Sequence, residues 1–289
     1  MLVDNAVIMA AGTSSRFAPL SYEKPKALIE VKGEVLIERQ IKQLYEAGIQ
    51  EVFIVTGYMS EQLEYLSGKY GVKLIHNPYY LTRNNNASIW VAREVIRNTY
   101  ICSADNYFNI NPFEREVDDA YYAGVFSVVH TDEWCMREDE KGYITAVEIG
   151  GENAWFMLGH TFWSEEFSRL FLNILTQEYD LPETKEKLWE KIFIEHLDVL
   201  KMKIQKYSND VIYEFDTLDE LREFDPSYKI DSRSTIIKNI ASTMEISERY
   251  IKRLETVKGR DTSAVGFKFE VEGKQYYYGY ASSTFTRLP

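Results

Sequence analysis

The chain has no run of about 20 apolar residues, so no membrane-spanning helix is expected. Its start carries Asp4 and no basic stretch of the kind that opens a secretory leader. Cysteine is scarce: Cys102 and Cys135 are too few for a disulfide framework, and a reduced, cytoplasmic setting is expected. Positive charge is in deficit, and a net charge of −12 argues against nucleic acid or an anionic membrane as partner. Neither GxxxxGK[ST] nor GxGxxG occurs. His76, His130, His160 and His196 are scattered, and no Ser/His/Asp or Cys/His arrangement accompanies them.

The chain is rich in core-forming side chains. Hydrophobic residues make up 45% of the 289 and aromatics 14%, enough for one large domain or one domain with an appendage. The segment 7–31, VIMAAGTSSRFAPLSYEKPKALIEV, organises the rest. An apolar run at 6–11 reads as a buried strand, and the small residues Gly12, Thr13, Ser14 and Ser15 follow it. Such a loop lets backbone N–H groups close on an anion, and Arg16, Lys24 and Lys26 supply the local cations that an acidic chain otherwise lacks.

Downstream, helices are expected at 35–48 and 61–70 and strands at 52–56 and 72–75. Three strand–loop–helix units in succession imply parallel strands with right-handed crossovers. Ligands on such sheets bind outside the carboxyl ends of the strands, where Gly12, Gly57 and Asn77 fall. A strand at 99–104 ends in Asp105, a carboxylate poorly placed for a core and well placed for a ligand. Glu214 and Asp216 are two residues apart, so on a strand they share a face and repel unless a cation intervenes. Further strands are expected at 124–130, 144–148 and 155–162, and helices at 89–96, 165–178 and 185–196.

The opening segment resembles the signature of nucleotidyltransferases that couple an NTP to a phosphorylated small molecule, roughly (L/M)AAGxGSRxxPLTxxxPKxLxxV. The matching residues are Met9 to Gly12, Ser15-Arg16, Pro19-Leu20, Pro25-Lys26, Leu28 and Val31; Ser14 stands where a second glycine is common. Within that family the resemblance extends over about residues 5–225 to bacterial phosphocholine cytidylyltransferases. It rests on Thr56-Gly57-Tyr58, Ala104-Asp105-Asn106-Tyr107, Asp132-Glu133-Trp134, Gly159, Phe162-Trp163, Leu188-Trp189 and Tyr213-Glu214.

The resemblance implies a GT-A-like α/β fold, a three-layer, Rossmann-like, mostly parallel mixed sheet flanked by helices. It implies transfer from CTP to phosphocholine, giving CDP-choline and pyrophosphate, with Mg²⁺ as cofactor. By that resemblance Arg16 and Lys26 hold the triphosphate, and Asp105 and Asp216, with Glu214, hold the metal. Nucleotide binding falls to Ala10, Ala11, Gly12, Thr13, Ser14, Ser15, Gly57, Asn84, Asn85 and Ser88. The acceptor falls to Glu133, Trp134, Gly159 and Trp189, the two indoles forming a cation–π box. Phosphoethanolamine, 2-aminoethylphosphonate or a sugar 1-phosphate are alternative acceptors, and an NTP-binding scaffold without turnover is the alternative of another class.

The composition shifts past Asp225-Pro226, which puts a catalytic domain at 1–228 and a small appendage at 229–289. In the appendage a helix is expected at 245–257, followed by a hairpin at 267–271 and 275–280. A short string here (Val257-Lys258-Gly259, Phe267-Lys268-Phe269, Gly273-Lys274-Gln275-Tyr276) resembles the opening of a choline-kinase-type domain, but no kinase catalytic loop follows. No kinase activity is expected; the appendage reads as a fusion remnant or a packing and homodimerisation element.

Overall fold

Strand β1 (Asn5–Ala10, NAVIMA) is buried except at Met9, as a strand covered on both faces must be. It pairs in parallel with β2 (Val52–Thr56) on one side and with a later strand, Thr99–Ser103, on the other. β2 in turn pairs in parallel with β3 (Lys73–His76), so the expected strand–helix repeats are present; Thr99–Ser103 is β4.

The computed structural model describes residues 1–259 and 264–289. They divide into two compact units, residues 1–12 with 35–214, and residues 13–34 with 215–289. The first unit adds β5 (Tyr107–Phe108), β6 (Tyr121–Ser127), β7 (Thr131–Glu138), β8 (Ile144–Gly151), β9 (Ala154–Trp163), β10 (Lys203–Tyr207) and β11 (Ile212–Tyr213). Its main sheet runs β8-β7-β9-β4-β1-β2-β3, with β6 pairing β9 and β10. The parallel half carries β1 to β4, and β9 turns the sheet antiparallel at β4. This is the mixed α/β architecture that the resemblance implies.

Helices α1 (Leu36–Glu46), α2 (Tyr65–Tyr70), α3 (Asn86–Ala92), α4 (Glu165–Glu178) and α5 (Trp189–Glu195) belong to the same unit. Ser60–Leu63 is a 3-10 turn, so α2 is shorter than expected, and α5 likewise begins four residues late, after a 3-10 turn at Pro182–Glu186. Trp163 from β9 meets Phe167 and Phe171 of α4 and Trp189 of α5, with ring centroids 4.6–5.1 Å apart.

The second unit holds α6 (Leu218–Phe224), α7 (Thr235–Thr243), and an antiparallel sheet β12 (Lys252–Lys258), β13 (Ala264–Val271), β14 (Lys274–Gly279), β15 (Thr284–Arg287). The expected hairpin is β13–β14, but the helix expected at 245–257 is not formed: Glu248–Tyr250 is a 3-10 turn and the stretch from Lys252 onward is β12. The register slips between Lys252 and Glu255, with Arg253 at φ 50°. That bulge leaves Ile251 and Leu254 buried three residues apart, which imitates helical spacing. The helix lies earlier, capped by Ser234, whose hydroxyl accepts from Ile237 N–H at 3.1 Å.

One buried carboxylate ties α1 to α2. Glu38 accepts from Tyr65 Oη, Lys69 Nζ and Tyr70 Oη, each at 2.7 Å. Burial pushes its pKa up, but these donors outweigh burial and hold it below the usual carboxylate value. A depressed carboxyl pKa stabilises the fold above the unfolded pKa and ceases to do so as pH falls through the folded one. Glu38→Gln should therefore lose about 1–3 kcal/mol at pH 7. In urea denaturation the gap between wild type and variant should close below about pH 4.

Candidate active site

In the first unit the strand register gathers the motif ends. Ala10 lies opposite Thr56, and Met9 opposite Ser103, so β1, β2 and β4 finish side by side. Tyr58 N–H donates to Ala11 O at 3.0 Å and Ala104 N–H to Met9 O at 3.1 Å, prolonging that alignment into the loops. Gly57 is a steric necessity, since a Cβ there would stand 2.8 Å from Ala11 O and 2.9 Å from the Tyr80 ring. Above Gly12 the space is open: a Cβ would meet no atom of the described residues within 4 Å.

Asp105 is half-buried at the end of β4. The turn that carries it is fixed by Gln40 Nε2, which donates to Ser103 O at 2.8 Å and to Asn106 O at 2.9 Å. Asn106 is buried and its Nδ2 donates to Glu214 Oε2 at 3.1 Å, so Glu214 is tied to the residue beside Asp105. β11 ends at Tyr213, and Glu214 and Asp216 therefore lie beyond the strand instead of sharing one of its faces.

The asparagine loop is knitted to the chain ahead of α5. Asn84 Nδ2 donates to Glu186 O at 3.0 Å, and Asn86 Nδ2 donates to Thr184 O at 2.8 Å. Asn85 uses both ends of its amide: Nδ2 donates to Glu190 Oε2 at 3.0 Å, and Oδ1 accepts from Trp189 N–H at 2.7 Å. Ser88 is buried and its hydroxyl accepts from Asn77 Nδ2 at 3.2 Å.

Of the acceptor residues, Glu133 is exposed and Trp134 half-buried on β7. Trp189 is 1% exposed, stacked with Tyr122 at 5.8 Å between centroids. Gly159 sits at φ 107° in a register slip of β9, where a Cβ would press on Ile212 at 3.0 Å; its requirement is backbone and packing. Next to Trp189, Glu190 accepts from Asn85 and, at 3.4 Å, from Tyr122 Oη. Burial raises its pKa, only partly offset by these donors, and no cation pairs with it among the described residues. The hydroxyl of Tyr122 is itself pushed up by burial and by the charges of Glu190 and Glu214.

In the second unit Asp216 is bracketed by cations. Arg16 Nη1 lies 2.6 Å from Asp216 Oδ2, and Lys26 Nζ 3.8 Å from Asp216 Oδ1. Arg16 is 75% exposed, whereas Lys26 is 6% exposed and has its ammonium 5.6 Å from the Phe17 ring centroid. The loop bearing them leans on the C-terminal residues. Thr256 Oγ1 donates to Ser15 O, the Tyr22 and Tyr280 rings stack at 3.7 Å, and Glu23 Oε1 accepts from Thr235 N–H at 2.8 Å.

Residues 6–113 match the MobA-like NTP transferase domain. The chain is 33% identical to 2-aminoethylphosphonate cytidylyltransferase of Lancefieldella rimae, over 78% of this chain and 93% of that protein. It is 32% identical to choline-phosphate cytidylyltransferase of Haemophilus influenzae, over 75% and 94% respectively. The solved CTP:phosphocholine cytidylyltransferase of Streptococcus pneumoniae superposes with a TM-score of 0.75 at 29% identity, over 79% of this chain and all of that one. The chain belongs to the MobA-like NTP transferase family.

As a nucleotidyltransferase of the cytidylyltransferase type, it carries one residue that the sequence reading passed over. Glu190 is one position from Trp189, and a single glutamate in a helix gives no signal of its own; the asparagine run that binds it was the available clue. The structure also accounts for the departure at Ser14. That residue adopts φ 45°, ψ 42°, the left-handed region in which glycine is at ease. Ser14→Gly should raise stability by about 0.5–1 kcal/mol, read as a higher midpoint in urea.

Proposed function

We propose that this nucleotidyltransferase joins CTP to phosphocholine, giving CDP-choline and pyrophosphate. The observation that carries the acceptor is Glu190, a half-buried carboxylate beside the rings of Tyr122 and Trp189 with no ion-pair partner among the described residues. An aromatic wall with a countercharge suits the trimethylammonium end of phosphocholine. Relatives are named for choline phosphate and for 2-aminoethylphosphonate, both of which carry a cationic nitrogen.

An oxygen of the acceptor phosphate attacks the α-phosphorus of CTP, a new P–O bond forms, and the bond to the β-phosphate oxygen breaks to release pyrophosphate. The acceptor is already anionic at neutral pH, so no side chain need serve as nucleophile. Positioning and charge neutralisation then do the catalysis. Arg16 and Lys26 hold the triphosphate; main-chain groups of Ala10 to Ser15, with Gly57, line its path, and the loop of Asn84, Asn85 and Ser88 flanks the base. Asp105 and Asp216, with Glu214, offer the hard oxygen donors that Mg²⁺ takes one or two at a time, and they are the residues that would hold it. Bound there, the ion would neutralise charge on the phosphates. A cytoplasmic setting fits Cys102 and Cys135, both buried as free thiols.

A second reading, transfer to 2-aminoethylphosphonate or phosphoethanolamine, is favoured by the same Glu190, whose oxygens can accept from a primary ammonium. Pyrophosphate release from CTP with each acceptor tests both. Phosphocholine should give the highest kcat/KM, and no release with it would exclude the choline reading. Asp105→Asn and Asp216→Asn should each abolish Mg²⁺-dependent turnover; wild-type rates in both would remove the metal assignment. Glu190→Gln should raise the acceptor KM about tenfold and leave that for CTP unchanged. Because Glu190 is charged only above its raised pKa, the wild-type acceptor KM should climb as pH falls through that range. The variant should lack that rise.

A further inference from the structure

The second unit contains a basic pocket that the proposed reaction does not use. Its cavity of about 470 Å³ is lined by Arg222, Lys229, Arg249, Lys252 and Arg253 against Asp219 and Glu223, with Tyr250 at the wall. Five cations face two carboxylates there, in a chain whose net charge is −12. None of the residues assigned to substrates or metal is among them.

The pocket is built, not a chance meeting of surface lysines. Arg222 is 4% exposed, and its guanidinium donates to Ile251 O at 2.5 Å, Glu248 O at 2.9 Å and Asp219 Oδ1 at 3.1 Å. Asp219 Oδ2 also accepts from Arg253 N–H at 2.7 Å, so the segment 248–253 is clamped to α6 at both ends. Lys252 and Arg253 are neighbours on a strand and would ordinarily point to opposite faces. The bulge in β12, with Arg253 at φ 50°, brings both to the same cavity. Arg253 is partly neutralised by Glu270 at 2.9 Å, whereas Lys229 and Lys252 have no ion-pair partner among the described residues. Assembling like charges in a concavity is unfavourable until an anion enters, and the preformed frame lowers the ordering cost of binding one.

We propose that this pocket binds a small phosphate-bearing anion. Its volume suits a ligand the size of pyrophosphate or a nucleotide, and Arg side chains match phosphate oxygens in paired hydrogen bonds. Tyr250, 47% exposed and with the Arg249 guanidinium 5.0 Å from its ring centroid, offers a stacking face for a base.

The test is calorimetric titration of the full chain at low salt with pyrophosphate, and separately with CTP. Titrating in a Lys26→Ala background weakens the triphosphate site. Binding should persist there and fall about tenfold or more in Lys229→Glu/Lys252→Glu, with Lys229→Gln/Lys252→Gln intermediate. Circular dichroism and the thermal midpoint report whether each variant is folded. Tighter binding of CTP than of pyrophosphate, with the difference lost in Tyr250→Ala, assigns the site to a nucleotide. Equal binding assigns it to the phosphate group alone. Undiminished affinity in both lysine double variants, or no binding in the Lys26→Ala background, would overturn the proposal.

Discussion

The parallel register of β1, β2 and β4 is the constraint on which the first unit's chemistry depends. Because Ala6 to Ala10 pair with Val52 to Thr56, and Asn5 to Met9 with Thr99 to Ser103, three strands end at one level. Each then releases a different kind of residue: a small loop at Gly12, a sterically compelled glycine at Gly57, a carboxylate at Asp105. A slip of one residue in any pair would invert its side chains and part these ends. The apolar faces of β1 and β2 make such a slip costly, so core packing and site geometry are set by the same pairing.

Charge is arranged locally against the trend of the whole chain. Lys26 is almost fully buried, and an unpaired ammonium there would be strongly disfavoured. Asp216 answers both Lys26 and the far more exposed Arg16. Glu190 presents the converse case, a half-buried anion with no ion-pair partner among the described residues, suited to an ammonium.

Much of the first unit was legible because its buried strands are continuous apolar runs bounded by glycine or polar loops, as in Val52–Thr56 and Thr99–Ser103. The second unit was less legible. In β12 a bulge replaces the two-residue alternation by a three-residue spacing, and Ile251 and Leu254 then look helical. Glu190 was invisible for another reason: its hydrogen-bond donors are Asn85 and Tyr122, which are more than 60 positions away in sequence. The asparagines of 84–86 announced a loop, but not that their amides would be taken up by residues 184–190. Ser14, conversely, looked like a defect in a glycine motif and is a left-handed residue that keeps the glycine's conformation.

The signature reads as one continuous string, yet it is divided between two compact units after Gly12. The part beyond the division holds short elements, the helical turns Ser15–Phe17, Leu20–Glu23 and Lys26–Leu28 and the two-residue strand Glu30–Val31, none long enough to be stable alone. Its shape must come from packing, and the partners are late in the chain. Thr256 holds Ser15, Tyr280 covers Tyr22, Thr235 and Ile236 hold Glu23, and Tyr228 and Arg233 hold the carbonyl of Glu30 at 2.5 and 2.9 Å. Arg16 and Lys26 are consequently placed by residues that no signature contains. The residues after Asp216 are structural to the cation-bearing loop, so a substitution at Tyr280 or Thr256 acts on the motif from more than 200 positions away.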